Sequence, residues 1–145
     1  MGFEVRSPTG PLKGGLWVPS RALAEAIAVE WRETGPLPQR PLTRLAIRAL
    51  EIKANPDQAV ASTAAYGASD LLCYWGPVGG VLAERQALAW QPLLDWASSR
   101  HGITLVVTHG IIPVEQDAQA LRRIVEMVSG FGPYEMAALE DATSV

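Results

Sequence analysis

The chain has 145 residues, 48% of them hydrophobic, and a formal net charge of −3, with an isoelectric point near 5.3. That length supports one compact domain with a core of its own, or one domain with a small appendage, and the composition excludes a disordered protein. An acidic balance with only two lysines, Lys13 and Lys53, argues against nucleic acid as a partner, because neutralising phosphates calls for clustered bases.

In chain order, Phe3-Glu4-Val5-Arg6 and Leu16-Trp17-Val18 are short alternating segments of β character, with turn chemistry between them at Ser7-Pro8-Thr9-Gly10 and Gly14-Gly15. They predict a small hairpin. From Ser20 the pattern turns helical: Ser20 is a good N-cap, Leu23, Ile27 and Trp31 recur every four residues, and Gly35-Pro36 stops the run. A second helix is predicted over Pro41–Ala54, with Leu42, Leu45, Ala46, Ala49 and Leu50 as its apolar stripe. Asn55-Pro56-Asp57 then reads as an N-cap, a proline at the first helical position and an acid in the first turn of a third helix through Tyr66.

Asp70 to Trp75 fits a strand or a last helical turn equally well by periodicity. Gly76-Pro77-Val78-Gly79-Gly80 is a break, and Val81–Trp90 with Pro92–Ser99 form two helices or one helix kinked at Pro92. Ile103–Val107, β-branched and short, predicts a strand. Glu115–Val128 predicts an amphipathic helix buried through Leu121, Ile124, Val125 and Val128, and Pro133 opens a last helical stretch. The expected class is mainly α with a small N-terminal β element (α+β): residues 1–19 a hairpin, residues 20–145 a helical bundle, and one short extra strand near 103–108.

No catalytic constellation emerges, and no metal or cofactor site. Cys73, the single cysteine, lies between Leu72 and Tyr74 and reads as a small buried hydrophobe rather than a nucleophile. His101 and His109 with that one cysteine do not supply three converging metal ligands. Gly76–Gly80 lacks the lysine and hydroxyl residue of a phosphate loop. A lone cysteine forms no internal disulfide, no signal peptide is visible, and no apolar run approaches the roughly 20 residues of a membrane span, so the expected compartment is the cytoplasm.

Attention therefore falls on Asp70 to Trp96, which holds three of the five tryptophans and the cysteine. Trp31 completes an apolar stripe, so its expected role, like that of Cys73, is structural. Trp90 and Trp96 stand six residues apart and would not share one face of a continuous helix. Which of the two faces solvent stays open. With Glu84, Arg85 and Asp95 nearby they form the aromatic-plus-arginine mixture of a binding surface, set against the alternative of a solvated helix face.

Several strings in register carry a resemblance: Pro19 to Trp31, Pro-Leu-Thr-Arg-Leu at Pro41 to Leu45, Asp-Leu-Leu-Cys-Tyr at Asp70 to Tyr74, Arg85 to Trp96, Gly110-Ile111, and Ala137 to Leu139. The chain resembles the assembly chaperones of mitochondria and alphaproteobacteria that attend the α subunit of the ATP synthase catalytic head. It departs from that pattern at Gly14-Gly15 and at Trp75, and family members begin earlier and run on into further helices, so it looks shortened at both ends. The resemblance implies a non-enzymatic protein, in the cytoplasm of a bacterium or the matrix of a mitochondrion, that covers the orphan α subunit. It also implies self-association through surface that the missing helices would otherwise cover. The expected contact residues are Glu84, Arg85, Trp90, Asp95 and Trp96. A cysteine-dependent hydrolase pairing Cys73 with His109, or a regulatory binding module, are the alternatives.

Overall fold

The computed structural model describes residues 2–7, 10–33 and 40–143, and only the backbone of residues 6, 7, 10–14 and 33. The fold is mainly helical with a small N-terminal β element. In order it runs β1 (Phe3–Ser7), β2 (Gly10–Val18), α1 (Arg21–Glu33), α2 (Pro41–Ala54), α3 (Pro56–Ala64), β3 (Tyr74–Trp75), α4 (Val81–His101), β4 (Thr108–His109), α5 (Ala118–Ser129) and α6 (Pro133–Thr143). The chain divides into two compact units, Met1–Pro56 with Phe131–Val145, and Asp57–Gly130. The expected division into 1–19 and 20–145 is drawn elsewhere, since Val5, Leu16 and Val18 of the ribbon share one core with Ala24 and Ile27 of α1 and Ala46 of α2.

In the first unit β1 and β2 pair antiparallel, with Val5 opposite Leu16 and Phe3 opposite Val18. Alternation sends Val5, Leu16 and Val18 inward and leaves Phe3 and Trp17 exposed. Glycines 14 and 15, expected in a turn, lie within β2. The register jumps between Val5 and Arg6, and Gly15 takes a φ of 65° that a residue with a Cβ would adopt only under strain. Ser20 caps α1 as its side chain predicts, its Oγ accepting from Leu23 N–H at 3.2 Å. Ile27 is fully buried, with Leu23 and Trp31 packed partly buried against the same core. The expected turn at residues 8 and 9 and the expected stop at Gly35-Pro36 lie outside the described residues.

Helix α2 has the expected bounds, and Ala46 and Ala49 of the expected stripe are buried, but Thr43 and Ile52 complete the inner face while Leu42 and Leu50 are exposed. Thr43 tolerates full burial because Glu30 of α1 satisfies it. The Glu30 carboxylate accepts from the Thr43 hydroxyl at 2.6 Å, from Thr43 N–H at 2.9 Å and from Leu42 N–H at 2.9 Å, capping α2 from a neighbouring helix. Burial alone would raise that carboxyl; these hydrogen bonds, with the charge of Arg40, outweigh it and hold the carboxyl below its ordinary 4.5. Trp31 joins the same cluster, its ring N–H donating to Thr43 Oγ1 at 2.8 Å with Arg40 4.5 Å above the ring. Helix α6 packs on α2, fastened by a forked pair from Arg48 to Glu140 at 2.6 and 2.9 Å.

In the second unit α3 ends at Ala64 and gives way to a 3-10 turn, Ala65–Ala68. A Cβ on Gly67 would approach Cδ1 of Ile124 of α5 to 2.5 Å, so turn and helix pack closely there and a larger residue would make the Ile124 side chain turn aside. Asp70 caps a second 3-10 turn, Leu71–Cys73, by accepting from Leu72 N–H at 2.8 Å, and β3 follows at once. The two readings of this stretch, strand and helical turn, are thus both realised in sequence. β3 pairs in parallel with β4, Tyr74 opposite Thr108 and Trp75 opposite His109.

The strand expected over Ile103–Val107 therefore forms one step later, at Thr108–His109. Among the described residues no strand pairs with 103–107; instead the Gln116 side chain brackets Val106, accepting from its N–H at 2.7 Å and donating to its carbonyl at 3.0 Å. Helix α5 starts at Ala118 rather than Glu115, because Asp117 caps it through the N–H groups of Gln119 and Ala120. Its Val128 is buried and Leu121 and Ile124 half-buried, whereas Val125, expected inside, is exposed.

Candidate functional site

The expected contact residues all fall on α4, one unbroken helix of 21 residues. Glu84 in its first turn and Arg100 and His101 in its last complement the helix dipole. Gly102, at φ 64°, closes it: Gly102 N–H donates to Ser98 O at 2.9 Å and Ile103 N–H to Ala97 O at 3.2 Å. Pro92 sits inside without ending the helix. It removes the bond to the carbonyl of Leu88, and Leu88 is 82% exposed, so the freed acceptor lies on the solvent side where water can serve it.

The helix turns one face inward through Ala83 and Leu94, which are buried, with Trp90 half-buried on the same side. The opposite face carries Glu84, Arg85, Asp95 and Trp96, all exposed, Trp96 at 57%. At about 100° per residue, positions 90 and 96 lie well apart around the helix. Of the five expected contact residues the structure therefore brings four onto one open face and turns Trp90 away from it. Trp96 is held edge-on by His101 of its own helix, ring centroids 4.8 Å apart, and Asp95 accepts from Gln91 at 2.8 Å.

Large apolar side chains are exposed on α4 as well, Val81 and Leu88 on that open face and Leu82 and Leu93 on its flank. Reasoning from tryptophan and charge passed over them. The signal was present, since α4 has apolar residues on both its faces, and only one face of a helix at a protein surface can be buried in its own unit. The loop tip Ile111-Ile112, 93% and 76% exposed, was passed over as well.

The remainder of the Asp70–Trp96 stretch is braced. Gln86 of α4 accepts from Gly76 N–H at 2.6 Å and donates to Tyr74 O at 3.3 Å. Trp75 donates its ring N–H to Leu72 O at 2.8 Å and meets the His109 ring edge-on. Gly76–Gly80, expected as a break, is thus tied at its start, and Gly80 N–H closes a turn on Pro77 O at 3.0 Å. Cys73 is fully buried, and burial, reinforced by the charge of Asp70, pushes its thiol pKa up. A nucleophile needs the reverse on both counts. His109 has its Nδ1 engaged with Gly76 O at 2.7 Å. Among the described residues no group of three or more His, Cys, Asp or Glu is placed to hold a metal ion, and no helix is long and apolar enough to cross a membrane.

Residues 3–98, which include β1 to β3 and most of α4, match the model of the ATP12 chaperone protein family. The chain belongs to this family. Solved ATP12-type structures share its fold: a lysine-for-aspartate variant of Atp12p from Paracoccus denitrificans is 35% identical with a TM-score of 0.82 over 97% of this chain, and Atp12 from the same organism is 36% identical with a TM-score of 0.80 over 94%. A candidate chaperone of Agrobacterium tumefaciens is 28% identical, with a TM-score of 0.80 over 96%. The chain spans 60%, 59% and 53% of the lengths of these three proteins.

Proposed function

We propose that this protein is an assembly chaperone of the F-type ATP synthase, binding the unassembled α subunit of the catalytic head and keeping it from aggregating until the ring forms. The observation that carries this is membership of the ATP12 chaperone family over residues 3–98. An orphan ring subunit exposes an apolar interface, and a protein that binds it holds that surface from self-association by mass action. The role is non-enzymatic, and its compartment is the bacterial cytoplasm or the mitochondrial matrix.

The contact surface we assign is the open face of α4, with Trp96 and Leu88 as apolar anchors and Glu84, Arg85 and Asp95 setting register and orientation. Trp90 holds the helix in place from the other side. The test is light scattering from isolated α subunit diluted out of denaturant. The protein should suppress the rise in scattering at stoichiometric ratio, Leu88→Asp should abolish suppression, and Cys73→Ala should leave it intact. No suppression by the unaltered protein sinks the reading.

A further inference from the structure

The open face of α4 is also complementary to itself. Leu82, Arg85, Ala89, Leu93 and Trp96 recur at intervals of three and four, the spacing of a helix–helix seam, and all are exposed. Val81, Leu88 and Asp95, seven apart, run along one rim of that seam. From Leu82 to Trp96 the seam spans about 20 Å. A second helix laid along it removes the most apolar surface from water.

The charges name which helix. Arg85 stands near the start of the seam, and Asp95 and Trp96 stand near its end. We propose that α4 pairs with α4 of a second copy of this chain, antiparallel about a twofold axis, with Arg85 of each copy seated against Trp96 and Asp95 of the other. This register also sets Ala89 opposite Pro92, small against rigid, at the centre where the two helices come closest. A guanidinium over an indole beside a carboxylate combines cation–π attraction with an ion pair, and the twofold axis makes the contact twice. A parallel pairing would oppose Arg85 to Arg85 and Asp95 to Asp95, so the charge pattern rejects it. The dimer takes up Arg85, Asp95 and Trp96 of the surface assigned to the α subunit, and so keeps that part of it from water when no client is present; the pairing itself does not depend on that assignment.

Sedimentation equilibrium of the full chain without client tests this directly. The protein should show a reversible monomer–dimer equilibrium. Arg85→Asp alone and Asp95→Arg alone should each weaken dimerisation about tenfold, because each breaks two symmetry-related pairs. The double substitution restores opposite charges across the axis and should return the constant to within about threefold of the original. Both positions are exposed, so circular dichroism should report an unchanged fold. A monomer at every attainable concentration overturns the proposal. So does a dimer that ignores the single substitutions, or a double variant no better than the singles.

Discussion

Trp31 and Trp96 are the same residue type, each on a helix, and they have opposite fates. Trp31 donates its ring N–H to Thr43, whose hydroxyl serves the Glu30 carboxylate, while Arg40 covers the ring. Trp96 is 57% exposed and touches only the edge of His101 in its own helix among the ring contacts described. An indole becomes structural when a second element brings a partner for its N–H and apolar neighbours for its rings. Without that element the same side chain is surface, and its area becomes available to something else.

Substitution can break this contrast. Trp31→Ala should cost about 3 kcal/mol in denaturant unfolding, through lost packing and the stranded Thr43–Glu30 pair. Trp96→Ala should cost less than about 0.5 kcal/mol. If the two cost the same, the division into structural and surface tryptophans is wrong. The cluster around Trp31 is next. Thr43→Val should destabilise by about 2 kcal/mol because it leaves part of a buried carboxylate and an indole N–H without partners.

The pH dependence sharpens the same point. The Glu30 carboxyl is held below its ordinary 4.5, so its contribution to stability is complete above that value and is lost as pH falls through the lowered one. Glu30→Gln should flatten the acid limb of a stability-against-pH curve. A limb unchanged by that substitution would assign it to other carboxylates. On the α4 side, Gly102→Ala should cost about 1 kcal/mol in thermal unfolding, since φ there is 64° and the αL cap closes the helix. Smallest in stability, but decisive for role, Trp96→Ala should weaken suppression of α-subunit aggregation several-fold while the melting temperature stays within about 2 °C. A loss of suppression that tracks stability instead would mean the surface is not the site.

Much of this was legible in the chain itself. Ser20 as a cap, Pro41 and Ala54 as the ends of α2, and Asn55-Pro56-Asp57 as the opening of α3 are local chemistry, and they appear where the residues put them. The family was readable from strings such as Asp70–Tyr74 and Arg85–Trp96, which lie inside the matched segment. The buried stripe of α2 was not, because hydrophobicity ranks Leu42 and Leu50 above Thr43, and only a carboxylate from another helix makes Thr43 the better core residue. The apolar period alone starts α5 at Glu115, and the Asp117 cap sets its first residue three positions later.

What the sequence determined by itself is what depends on neighbours in the chain: the starts of α1, α2 and α3, the mainly helical class and the family. Tertiary structure decided which side of each amphipathic element meets its own unit. It placed Trp90 inward and Trp96 outward, left Leu88 in solvent, and paired Thr108–His109 rather than Ile103–Val107 with Tyr74–Trp75. The reason is physical. A helix period marks two candidate faces when both are apolar, and a strand needs a neighbour, so each choice is made by contacts distant in sequence.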